Sequence, residues 1–107
     1  MVYEYLIYWL EAEPDLGKEY YSVVRPNSVT SEHDVKNGVS GLRLAEGEFS
    51  FSWEMPGLQV VFVPKDKVNP PSHDKVTGWV QEICENIMRA SGLPAKVLIE
   101  DDEVWAL

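Results

Sequence analysis

Residues 41–63 read "GLRLAEGEFSFSWEMPGLQVVFV", and their alternation decides the fold class. Phe49, Phe51 and Trp53 alternate with Ser50, Ser52 and Glu54, the period of a strand with one buried and one wetted face. Leu42 and Leu44 belong to a strand before it, and Leu58 to Val63 to a strand after it. Gly47 in "AEGE" is expected to supply the positive φ of a short hairpin loop. Pro56-Gly57 is a type II turn pair. Because proline cannot take the positive φ of a primed turn, a loop of roughly three to five residues is expected there. The stretch therefore predicts a three-stranded antiparallel meander.

Beyond the meander, "PKDKVNPP" (64–71) reads as a rigid linker into a helix over about 73–91. Ser72 or Asp74 can cap its start, and Val76, Trp79 or Val80, Ile83 and Ile87 form one apolar stripe. Gln81, Glu82, Glu85, Asn86 and Arg89 fill the opposite side. Gly92, Leu93 and Pro94 stop it, with glycine in a left-handed cap and proline just beyond. "AKVLIE" (95–100) and "EVWAL" (103–107) read as a closing hairpin that turns at Asp101-Asp102.

Upstream, "VYEYLIYWLEA" (2–12) is dense in aromatic and β-branched residues and apolar on both faces, which suits an interior strand. "EPDLGKE" (13–19) is a turn, and "YYSVVR" (20–25) reads as a second strand ended by Pro26. Residues 26–41 are the longest polar stretch. Ser31 with Asp34 fits a capping box and Asn37-Gly38 a helix stop, which predicts a helix of about two turns or an ordered loop. The whole is one α+β domain over 1–107. An antiparallel sheet of about six to seven strands carries one long helix on one face, a two-layer sandwich.

The charge narrows the function. With 18 acidic against 9 basic side chains the formal charge is −9. A phosphate backbone or an anionic lipid surface would repel this chain, so direct nucleic-acid or membrane binding is not expected. A basic protein would be attracted and steered to it. The bland alternative is that the charge only keeps the protein soluble. The single cysteine, Cys84, forms no internal disulfide, and "MVYEYLIYWL" lacks a basic leader region and is interrupted by Glu4. Both features make the cytoplasm the expected compartment.

No set of catalytic residues assembles from the pattern. His33-Asp34 and His73-Asp74 each sit at a predicted helix start, where Ser and Asp serve as caps, so no metal site is expected from them. Cys84 lies beside the helix stripe with Glu82 and Glu85 close by, which suits a small core residue and not a reactive thiol. "EDDE" (100–103) lies in a turn that converges too few oxygens for a hard cation. Trp9, Trp53 and Trp79 fall on faces expected to be buried. The chain is accordingly read as a non-enzyme without a cofactor.

What remains is acidic residues crowded at strand ends. Glu11, Glu13 and Asp15 follow the first strand. Glu46, Glu48, Glu54, Glu100, Asp101, Asp102 and Glu103 flank later turns, and Trp105 follows the last. An aromatic anchor inside a charged border is the anatomy of a protein-binding face. In size, acidity, α+β layout and lack of a catalytic set, the chain resembles the small immunity proteins that bacteria make against their own toxins. That resemblance implies tight binding to a basic toxin or nuclease domain and occlusion of its active site. Phage inhibitors that imitate nucleic acid have the same general character. Two other readings stay open: a structural or adaptor subunit that homodimerises through its sheet, and a small enzyme or ligand-binding domain under the polar 26–41 segment.

Overall fold

A computed structural model of the chain describes residues 2–17, 23–28, 32–36, 39–54 and 56–99, with the side chains of 32–36, 39 and 40 left aside. The described residues form an α+β fold: one antiparallel sheet and one long helix. The strands are β1 (Tyr3–Trp9), β2 (Glu32–Lys36), β3 (Val39–Leu44), β4 (Gly47–Trp53), β5 (Gly57–Pro64) and β6 (Ala95–Ile99), and the helix α1 spans His73–Ser91. The sheet order is β2-β3-β4-β5-β1-β6. Four strands thus form a sequential meander. β1 then inserts between β5 and β6 and runs antiparallel to both, with Tyr5 opposite Val60 on one side and Ile99 on the other. β5 and β6 are therefore parallel to each other, and α1 makes the crossover between them.

β1 is interior because both of its faces are apolar. Tyr5, Ile7 and Trp9 point into the core under the helix, while Leu6 is buried on the opposite face, outside that core. Helix α1 is set by its caps. The Ser72 side chain accepts a bond from the Lys75 amide at 3.1 Å, and Gly92 ends the helix at φ 73° with its N–H on the Met88 carbonyl. Val76, Trp79, Val80, Ile83, Cys84 and Ile87 are buried along one stripe. Each large apolar side chain so buried contributes about 1.5–3 kcal/mol. The Trp79 ring packs on Phe49 and Phe62, centroids 6.1 and 5.6 Å away, which joins helix and sheet.

Several expectations need correction. Residues 23–25 are not extended, so the strand predicted over 20–25 is absent from its described part. Val23 and Val24 instead enter the core from a segment tied to the helix by Asn27–Asn86 and Ser28–Glu82 hydrogen bonds. β-Branched residues favour strands, but two buried valines satisfy a core equally well without a partner strand. Residues 32–36, expected to lie in a short helix or an ordered loop, form β2. Its register sets Lys36 opposite Val39, with the dipeptide Asn37-Gly38 between them in sequence. Asn-Gly between two strands is a hairpin signal as well as a helix stop, and the local pattern alone does not separate the two. The strand expected over 103–107 lies outside the described residues. The sheet thus has fewer of the expected strands, and gains β2.

Gly47 and Gly57 of the meander act through space and not through positive φ. Among the described glycines only Gly17 and Gly92 have positive φ. Gly47 is the first residue of β4, and a Cβ there would strike the Phe62 ring and the Val63 carbonyl. Gly57 is the first residue of β5, not part of the loop. It exchanges both backbone bonds with Glu54, at 2.7 and 2.9 Å, and the strand bounds leave three positions, 54–56, between β4 and β5, within the expected loop length. A Cβ on Gly57 would meet the Ile7 carbonyl oxygen of the neighbouring β1.

Candidate protein-binding site

The sheet has two ends, and the acidic residues divide between them. At the end where α1 begins, the β3–β4 turn carries Glu46, and Glu48 follows on the face turned away from the helix. Glu46 binds Lys75 at 2.6 Å, with both side chains still about half exposed. The Lys75 ammonium also lies 5.5 Å from the Trp79 ring centroid, a cation–π contact. Glu48 pairs across strands with Arg43. Lys65, Asp66, Lys67 and Asp74 lie in the adjoining linker and first helical turn, with the Asp66 carboxylate accepting from the Val68 and Asn69 amides. Acids and bases interleave here.

The opposite end differs. β4 finishes at Trp53 and Glu54, some 25 Å of strand from Glu46. β1 finishes at Trp9 and leads into Glu11 and Glu13, while the Trp9 amide bonds the Pro56 carbonyl of the β4–β5 turn. The rings of Trp9 and Trp53 pack together with centroids 5.7 Å apart. Trp53, expected in the core, is 43 % exposed, whereas Trp9 is 9 % exposed and Trp79 only 4 %. Burial thus falls off at the last residue of β4. The Trp9 Nε1 is buried and has no hydrogen-bond partner. Glu11, Glu13 and Glu54 are exposed. Glu54 accepts from the Ser52 hydroxyl at 3.0 Å.

The residues expected to share a binding face are therefore not gathered by the described fold. Glu46 and Glu48 occupy one end and Glu54 the other. Glu100, Asp101, Asp102, Glu103 and Trp105 lie outside the described residues, although β6 delivers the chain toward the Glu46 end. What the sequence reading missed is the Trp9–Trp53 pair. Its one local signal is the placement of Trp53 immediately before a turn.

The remaining chemical candidates have structural surroundings. The His73 ring stacks on Tyr5 at 6.0 Å and meets Tyr3 edge-on at 5.8 Å. His33 and Asp34 belong to a strand and not to a helix start. Among the described residues no group of three or more His, Cys, Asp or Glu side chains could hold a metal ion. Burial, and then the Glu85 charge, push the Cys84 thiol up to about 11, so it is a neutral core side chain at physiological pH. Burial also raises the Tyr5 hydroxyl, outweighing its 3.0 Å hydrogen bond with Thr77. No helix among the described residues is long and apolar enough to cross a membrane. Comparison with protein families, curated proteins and solved structures found no match to this chain.

Proposed function

We propose that this protein is an acidic binding protein that occludes a basic protein partner, such as a toxin or nuclease domain, in the manner of an immunity protein. The observation that carries the reading is the net charge of −9 combined with exposed carboxylates at the strand ends, at one of which Trp53 is half-exposed. Long-range attraction steers a cationic partner, and a desolvated aromatic then holds it. Glu46, Glu48, Glu54, Glu100, Asp101, Asp102, Glu103 and Trp105 are the residues assigned to partner contact, and no residue is assigned to catalysis. The test is capture from native lysate followed by purification and kinetics. The expected partner is basic, associates much faster at low salt than at high salt, and loses its own activity when bound. A partner that is acidic, or whose association ignores salt, overturns the reading.

A second reading has its own observation. Val2 and Val63 are 49 % and 38 % exposed, and Val63 points away from the helix, on the face that also holds Leu6 and Leu98. A partly exposed apolar sheet face suits homodimerisation. Light scattering that finds a dimer in the wild type and a monomer in Val63→Glu supports it; a monomeric wild type removes it.

A further inference from the structure

We propose that a second copy of this chain docks on the sheet face turned away from α1, with β1 antiparallel over its own counterpart, so that Glu4 of each copy meets Lys96 of the other. The proposal rests on the homodimer reading above and sets its register. The alternation of β1 carries the argument. Tyr5, Ile7 and Trp9 fill the core, so Val2, Glu4, Leu6, Tyr8 and Leu10 fall on the far face. Leu10 continues the ladder just past the strand, its amide on the Pro94 carbonyl at 3.2 Å. The two ends of this row, Val2 and Leu10, are 49 % and 48 % exposed. At its centre Leu6 is buried, opposite Leu98 of β6. The charges sit on either side of that centre. Glu4 comes two residues before Leu6. Lys96 lies opposite Tyr8, two residues after it, with its ammonium 6.0 Å from the Tyr8 ring centroid. Both charged side chains are exposed.

Reversed, this row is complementary to itself. Sheets pack face to face about 10 Å apart with their strands nearly aligned. A two-fold axis across the strands at Leu6 gives the same contact to both copies. Leu6 then lies over Leu6 of the second copy, Val2 over Leu10, and Glu4 over Tyr8, where Lys96 holds its ammonium. Each exposed apolar end is covered and each carboxylate gains a cation. An axis along the strands would instead set Glu4 against Glu4, and like charges placed so are repelled. Val63, next after Phe62 on β5, widens the apolar end beside Val2.

The test is sedimentation equilibrium of the full chain over a concentration series in buffered saline. The wild type is expected to dimerise. Glu4→Lys and Lys96→Glu should each weaken the dimer by about tenfold or more, because each sets like charges together at both symmetric contacts. An equimolar mixture of the two variants should recover the wild-type affinity, since every mixed pair again opposes unlike charges at both contacts. That recovery also shows that both variants are folded, and a purely structural role for either side chain gives no such rescue. If either variant alone dimerises as the wild type does, or if the mixture stays monomeric, this register is overturned and the homodimer reading stands on Val63→Glu. A wild type that is monomeric throughout overturns both.

Discussion

The two ends of the sheet hold the same kinds of residue and use them differently. At one end an ion pair closes over a buried tryptophan: Glu46 holds Lys75, and Lys75 lies against Trp79. At the other, Trp53 packs on Trp9 and is still 43 % exposed, and exposed acids follow both strands. The difference comes from coverage. Helix α1 and its linker enter at the first end and bring Lys65, Lys67 and Lys75 with them. The second end receives the strand termini, whose outgoing residues are acidic. The tryptophan is therefore sealed in where the helix start brings a cation against it, and half-exposed where the strands end.

The sharpest way to break this comparison is to truncate both tryptophans. Trp79→Ala should cost about 3–5 kcal/mol, because it empties a packed site between Phe49 and Phe62. Trp53→Ala should cost roughly 1 kcal/mol, the range of a half-exposed side chain. Urea melts of both variants check this, and equal losses would show that the Trp53 end is ordinary core. The next effect is steric. Gly57→Ala drives a methyl into the Ile7 carbonyl, a backbone atom that cannot step aside, and should destabilise by about 1–3 kcal/mol or more. An unchanged melting temperature would mean that β1 and β5 are not so closely apposed.

A smaller effect has the opposite sign. Gly78 lies on the exposed face of α1, with nothing within 4 Å of an added Cβ. Gly78→Ala should stabilise by about 1 kcal/mol, a rise of roughly 4–8 °C in Tm. Scanning calorimetry reads this directly, and a fall in Tm would mean that the glycine is structurally required. Smallest is the ion pair itself. Glu46→Gln should cost less than about 1 kcal/mol at low salt and nothing measurable at high salt, as exposed pairs do. A larger, salt-insensitive loss in denaturant titrations would make that end a structural clamp.

How much of this was legible in sequence follows from the range of each signal. The helix was readable to the residue, because Ser72, the apolar stripe and Gly92 are all local. The alternation of Phe49, Phe51 and Trp53 gave the meander for the same reason. β2 was misread since Ser31, Asp34, Asn37 and Gly38 suit a helix or a hairpin equally, and only pairing with β3 decides. Val23 and Val24 were misread because a β-branched pair reports burial more surely than it reports a strand. The site was less legible still. Glu46 meets Lys75 across 29 positions, and Trp9 meets Trp53 across 44, through a strand order that no short window contains. Acidity was visible from composition, but which acids are already neutralised depends on the fold.

The insertion of β1 between β5 and β6 has a consequence for how the chain is made. Tyr5 pairs with Val60 and with Ile99, so this strand receives its last partner only after residues 95–99 have been made. At ordinary elongation rates the segment "YEYLIYW" waits roughly 5–20 s for that partner. During this interval it is an unpaired strand with two apolar faces, the kind of segment that seeks other strands. Glu4 is its only charge, placed on the face that the helix never covers. A carboxylate there sets nascent copies against each other until β6 arrives to occupy the edge.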